Sequence, residues 1–240
     1  MTRWANLVGD REKTAAVWRE LETTKLYDAV AASPLFLLFG MSGSHLATEL
    51  WAALKQTDIS AIDALAAISL LRQAAAITLV VLLMTFLIAR DPAKAKAKGL
   101  MPRLAAFGGT YVGVAIAFLP QQPIGLSLSL VSLLLMLAGA AFSVYSISHL
   151  GRSFSVMAEA RQLVSDGPYA RIRHPLYLGE AVSFLGLTLQ HASPLAFAIF
   201  AVQIAFQLVR MKNEEAVLTG LFPEYRAYTL RTARLLPGVY

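Results

Sequence analysis

The chain has 240 residues, 57% of them hydrophobic and only 15% charged, with a formal net charge of +6 and no cysteine. Soluble domains carry about 25% charged residues, so this composition excludes an ordinary soluble domain. The lack of cysteine excludes disulfides, thiolate zinc sites and cysteine nucleophiles. Its basic residues flank apolar runs, which fits a positive-inside membrane topology and not a nucleic-acid footprint.

The N-terminal stretch MTRWANLVGDREKTAAVWRE is mixed in charge and has no apolar core ending in small residues, so no signal peptide is expected. Glu12–Asp28 mixes charges with Val17, Trp18, Leu21 and Leu26, which predicts a helix lying on the inner membrane surface. Apolar runs follow at Val30–Leu54, Ile62–Ala89, Leu104–Leu119 and Ile124–Leu150. Two shorter ones, Leu176–Leu189 and Pro194–Val209, are split by QHASP. A spanning helix needs about 20 residues, so the last pair predicts a helical hairpin. The expected fold class is all-α: a polytopic transmembrane bundle of about five to six spans. Residues 1–150 are expected to form a surface helix and four transmembrane helices, and residues 151–240 a connector, a helical hairpin and a cytoplasmic tail.

The loops carry a consistent bias. Arg90, Lys94, Lys96, Lys98 and Arg103 lie between the second and third runs, and Arg152, Arg161, Arg171 and Arg173 between the fourth and fifth. The tail adds Arg210, Lys212, Arg226, Arg231 and Arg234, whereas the alternate loops hold Lys55 alone. Both termini are therefore expected in the cytoplasm. Arg72, inside the second run, is expected to snorkel to the outer interface. His45 and Glu49 share a helix face but lack a third ligand, so hydrogen bonding is expected there and no metal. Ala105, Gly109, Gly113 and Ala117 form a row of small residues that predicts a close helix-packing seam.

Polar residues concentrate in two segments. Gly167–Gly179 reads GPYARIRHPLYLG, and its Gly-Pro and His-Pro steps interrupt any helix. The irregular backbone stands beside Tyr169, Arg171, Arg173, His174 and Tyr177, the composition of a pocket for a polar, partly aromatic ligand. Downstream, RMKNEEAVLTGLFPEY puts Arg210 and Glu214 on one face of a helix leaving the membrane. A carboxylate there can hold an ammonium group, and an arginine fork a carboxylate; a plain membrane anchor with its surface partner is the alternative. No glycine-rich turn of the dinucleotide-binding type is present.

The sequence RQLVSDGPYARIRHPLYLG, followed by R-x-x-x-EE, FPEYRAY and LLPG, resembles the isoprenylcysteine carboxyl methyltransferase family of integral membrane enzymes over Leu150–Tyr240. Phospholipid N-methyltransferases and bacterial thiol methyltransferases share the superfamily pattern. The resemblance implies S-adenosylmethionine as methyl donor, in a cytoplasmic pocket formed by the connector and the C-terminal segment. It implies Arg161, Gln162, Leu163, Val164, Tyr169, His174, Pro175, Leu176, Tyr177 and Glu214 as cofactor contacts. Arg210 matches the substrate-facing catalytic arginine.

Two departures stand out: Arg161 replaces the family's usual His, and FPEY is a residue shorter than FGEEY. A carboxylate acceptor is ionised at neutral pH and needs no base, and no dedicated base stands out in the sequence. The expected reaction is therefore carboxyl O-methylation of a lipophilic or prenylated acceptor reached through the bilayer. Phospholipid N-methylation, thiol S-methylation and a non-catalytic membrane protein or transporter are the alternatives. A transporter would show two related halves, and no internal repeat is visible. A bacterial inner membrane is the expected location.

Overall fold

The computed structural model describes residues 25–56, 62–89, 91, 94–97, 99–155 and 159–238. Helix α1 (Lys25–Gln56) is followed by α2 (Ala64–Ala89), strand β1 (Ala95–Lys96) and α3 (Leu100–Tyr111), which tightens into a 3-10 turn over Gly113–Phe118. Then come α4 (Leu126–Leu150), β2 (Glu159–Ala160), α5 (Pro175–His191), α6 (Pro194–Leu221) and the short α7 (Tyr225–Arg231). The helix expected over residues 12–28 falls, up to residue 24, outside the described residues, as do Arg90 and Lys98. Lys25–Asp28 run straight on into α1.

The protein is an all-α helical membrane protein. Among the described residues, Leu100–Phe118, Leu126–Ser153 and Pro194–Leu221 are each long and apolar enough to cross a bilayer. Burial is inverted relative to a soluble domain. Leu134 and Phe118 are more than 60% exposed, while Gln203, Gln207 and Arg210 are buried. Lipid can solvate the leucines, whereas polar groups must find partners inside the bundle.

Small residues decide the central contact. Helices α4 and α5 share the most extensive packing of any pair. A Cβ added at Gly139 would stand 2.5 Å from both the Gly179 carbonyl oxygen and the Ser183 backbone nitrogen. One added at Gly186 would stand 2.7 Å from the Ser132 carbonyl oxygen. The Ser132 hydroxyl donates to the Gly186 carbonyl at 2.8 Å. Without a hydrophobic drive between helices in lipid, such close backbone approach is what holds them together. Two glycines of the expected row serve the same end: Arg210 covers Gly109 on α3 and Phe184 covers Gly113 in the 3-10 turn, while Phe206 covers the neighbouring Gly108.

Two helices differ in form or extent from their apolar runs, and the expectation for Arg72 needs correction. The third apolar run is no continuous α-helix: it changes to a 3-10 turn at Gly113, where the Phe184 ring leaves no room for a Cβ. The last helix runs 28 residues to Leu221, past the end of its apolar stretch, as the placement of Arg210 and Glu214 on a helix leaving the membrane predicts; the first proline after Pro194 is Pro223. Arg72 does not reach an interface. It is 7% exposed, on a helix packed against both α1 and α4. His45 and Glu49 are both exposed on α1, with the His45 ring stacked on Phe118 at 5.1 Å; no metal cluster forms among the described residues.

A two-residue turn joins α5 to α6. Ala192 takes a left-handed conformation and the Ser193 hydroxyl caps α6 by accepting from the Ala196 amide at 3.2 Å. Pro175 and Pro194 open their helices, where a missing N–H costs nothing. The hairpin so made sets the start of α5 beside the last turns of α6.

Candidate functional site

Between α4 and α5 the connector is irregular because its sequence breaks helices. Gly151 and Gly167 have φ of 50° and 53°, left-handed values that favour glycine. Pro168 opens a 3-10 turn over Gly167–Ala170, and His174 stands outside helical geometry just before Pro175. Strand β2 pairs antiparallel with β1, pinning the connector to the loop after α2.

The connector and the ends of α5, α6 and α7 enclose a cavity of about 100 Å³. Its wall carries Arg161, Gln162, Leu163, Val164, Tyr169, His174, Leu176, Tyr177 and Glu214. Nine of the ten expected contacts thus converge, although they come from segments some 50 residues apart. Pro175 is buried as the first residue of α5 and is not on the wall. Arg161 contributes to the wall with its guanidinium engaged by protein groups. Nη2 donates to Glu159 at 2.9 Å and Nε to the Asp91 carbonyl. The arginine at this position therefore ties the connector to the loop before β1.

Tyr225 and Tyr228 complete the wall. They lie three apart in FPEYRAY, hence on one face of α7, a spacing that could have revealed them. The Tyr228 hydroxyl donates to the Tyr169 carbonyl at 2.7 Å. The Tyr225 hydroxyl is buried and has no hydrogen-bond partner among the described residues. Burial pushes the Tyr228 phenol up to about 12. Burial also raises those of Tyr169 and Tyr225, with nearby carboxylates adding to it. All three stay neutral donors across the physiological range.

Behind the wall lies a buried polar cluster. The Tyr177 hydroxyl donates to Glu214, and the Arg210 guanidinium carbon sits 4.6 Å from the Tyr177 ring centroid, a cation–π contact. Arg210 is 4% exposed, with its aliphatic stem over Gly109. Its neighbours in this cluster are the neutral Tyr177 and the carboxylates of Glu180 and Glu214. Glu180 in turn accepts from Gln207 Nε2 at 2.9 Å. Arg210 is thus separated from the cavity by Tyr177, and Glu180, held by Gln207, is a residue that pattern reading passed over.

A second cluster closes the site from the C-terminal side. Glu215 accepts from Arg173 Nε at 2.8 Å and from Arg234 at 2.6 and 3.0 Å, with His174 Nε2 at 3.2 Å. The tail lies along the connector: the amides of Arg173 and His174 donate to the carbonyls of Ala233 and Arg234 at 2.9 and 3.1 Å. The second glutamate of the EE pair thus clamps the tail, while the first, Glu214, faces the cavity.

Residues 107–225 match the model of the phospholipid methyltransferase family. That match spans just under half of the chain. The matched region takes in α3 from Phe107 through to the first residue of α7, so it contains the whole cavity wall except Tyr228. The chain is also 34% identical, over 76 residues, to the cobalt-zinc-cadmium resistance protein CzcN of Cupriavidus metallidurans, covering 31% of this chain and 35% of that protein. To the nickel-cobalt-cadmium resistance protein NccN of Alcaligenes xylosoxydans xylosoxydans it is 34% identical over 80 residues, covering 33% of this chain and 38% of that protein. The chain therefore aligns with little more than a third of each relative's length.

Proposed function

We propose that this protein is a membrane methyltransferase that takes its methyl group from S-adenosylmethionine and passes it to a lipophilic acceptor arriving from the bilayer. The observation that carries the reading is the convergence of Glu214, the unpartnered Tyr225 hydroxyl and the coil Arg161–Val164 on one cavity. The donor set suits the methyl donor, which offers an ammonium for Glu214 and polar groups for Tyr225. When bound, that molecule supplies an electrophilic methyl, the hard part of the chemistry. The protein's own share is placement: Tyr177 holds the Glu214 carboxylate in position, and Tyr169, Tyr177 and Leu176 line the cavity with apolar and aromatic surface.

Carboxyl O-methylation of a lipophilic or prenylated acceptor is the finer reaction implied by the family resemblance, with Arg210 orienting the carboxylate. Phospholipid N-methylation or thiol S-methylation is the second reading, the former supported by the match of residues 107–225 to the phospholipid methyltransferase family.

Glu214→Gln removes the charge and keeps the shape. It is expected to weaken S-adenosylmethionine binding by about 10- to 150-fold, the worth of a charge-assisted hydrogen bond at roughly 1.5–3 kcal/mol. Calorimetric titration of detergent-purified protein measures this, and unchanged affinity would remove the pocket from the proposal.

Loop charges support a bacterial inner-membrane orientation with both termini in the cytoplasm. Reporter fusions after Ser165 and Tyr240 are expected to report cytoplasm, and those after Gln122 and Ala192 the opposite side. A cytoplasmic signal at Gln122 breaks this topology.

A further inference from the structure

Arg72 has no part in the cavity and is the one charged residue of α2. It is 7% exposed, on the same face as the buried Ile68 one turn before it. Its Nε and Nη1 are buried without a hydrogen-bond partner among the described residues. Gln73 beside it leaves Oε1 unpartnered too, while its amide nitrogen reaches the Ser69 hydroxyl at 3.4 Å. A guanidinium carries five donors and cannot shed its charge, and buried charges are paired in folded proteins. The described carboxylates at this end of the bundle do not pair with it. Asp63 caps α2 by accepting from the Ala66 amide at 2.7 Å, and Glu49 is exposed on α1. An ionisable group left so inside a membrane bundle marks a site of function.

Depth narrows the kind of anion that can reach it. Arg72 stands 17 residues before Ala89, the end of α2 that leads to β1 and the cavity, hence about 26 Å from it along the axis. The hydrocarbon core is about 30 Å thick. The residue therefore lies at the level where the headgroups of the opposite leaflet begin, with its guanidinium turned into the bundle on a helix packed against α1 and α4. We propose that Arg72 holds the anionic phosphodiester headgroup of a bilayer lipid, drawn in beside α2 at the end of the bundle away from the cavity. The phosphate accepts from the guanidinium as its counter-ion, and a hydroxyl on the headgroup can donate to Gln73 Oε1. One turn on, Ala75 and Ala76 are partly buried and short, which leaves room for an acyl chain. An acidic lipid is favoured over a zwitterionic one, whose own ammonium offsets the phosphate charge. This lipid is no methyl acceptor: Arg72 stands far from the cavity and outside residues 107–225, the region that matches the family model. Its effect is to neutralise the buried charge and so stabilise the packing of α2.

The test uses the full chain, stripped of lipid in detergent and titrated with phosphatidylglycerol, phosphatidylcholine or inorganic phosphate. Bound lipid per chain and the thermal unfolding temperature are read. Phosphatidylglycerol is expected to bind saturably and to raise the unfolding temperature, and phosphatidylcholine to bind several-fold more weakly. Arg72→Gln should weaken phosphatidylglycerol binding about 10- to 150-fold, the worth of a charge-assisted hydrogen bond. Arg72→Lys, which keeps a point charge that phosphate accepts, should retain most of it. Without lipid, Arg72→Gln should unfold no earlier than the unsubstituted protein, because it removes a buried charge that has no counter-ion. Earlier unfolding of that variant, or its failure to fold, overturns the proposal by showing that the protein itself satisfies Arg72. Equal binding of the two lipids by the unsubstituted protein, or unchanged phosphatidylglycerol binding in Arg72→Gln, overturns it as well. Stabilisation by inorganic phosphate as strong as that by phosphatidylglycerol overturns the bilayer as the source and makes this a site for an aqueous anion.

Discussion

Arg210→Ala is expected to lower methyl transfer about 100-fold or more, the scale of loss that follows when a reacting group is misplaced, while S-adenosylmethionine affinity changes only a few-fold. The asymmetry follows from geometry. Arg210 stands behind Tyr177, off the cavity wall, and holds the ring from the membrane side. The variant should also be less stable, because Glu180 and Glu214 lose the guanidinium that acts on both; breaking a buried pair costs about 3–5 kcal/mol. Arg210→Lys separates the two effects. Lysine keeps the charge, so it should recover stability, but it lacks the flat guanidinium that stacks on Tyr177 and so should recover little turnover. Near-normal turnover in the lysine variant would make Arg210 an ordinary inner-face anchor.

Glu215→Ala is expected to release the C-terminal tail. Arg173, His174 and Arg234 all converge on this one carboxylate, whose side chain is 13% exposed. Its loss leaves three basic groups facing one another at a cost of about 3–5 kcal/mol. Thermal unfolding should shift down, and trypsin should cleave after Arg231 and Arg234 much faster than in the unsubstituted protein. Donor affinity should fall too, since His174 and Tyr225 sit on the wall that the clamp holds together. Unchanged unfolding and proteolysis would show that the backbone pairing of Arg173 with Ala233 suffices without Glu215.

Much of the site was legible because its signals are local. The Gly-Pro and His-Pro steps interrupt helices by steric rules that need no partner, and the structure breaks at both. The RHPLY segment and Glu214 could be matched by pattern, and they meet on one wall although 37 residues separate Tyr177 from Glu214. Glu180 and Gln207 were not legible in the same way. Each is a single polar residue in an apolar run, and only the packing of α5 against α6 shows that they face each other. Glu215 looked like a repeat of Glu214, yet one helical step, about 100° around the axis, turns it from the cavity to the tail. Arg72 was misread because its snorkelling was argued from distance along one helix, without the neighbours that bury it.

Composition, the lengths of the apolar runs and the prolines by themselves determined an all-α membrane bundle, its helix starts and a polar region at its C-terminal end, since each depends on hydrogen bonding within one segment and on transfer to lipid. Only the tertiary structure decided which polar residues become partners. The close α4–α5 seam at Gly139, Gly179 and Gly186 and the two-residue turn into α6 set the distances between helices. Ion pairs and hydrogen bonds form only at a few ångströms, a separation that no spacing along the chain specifies.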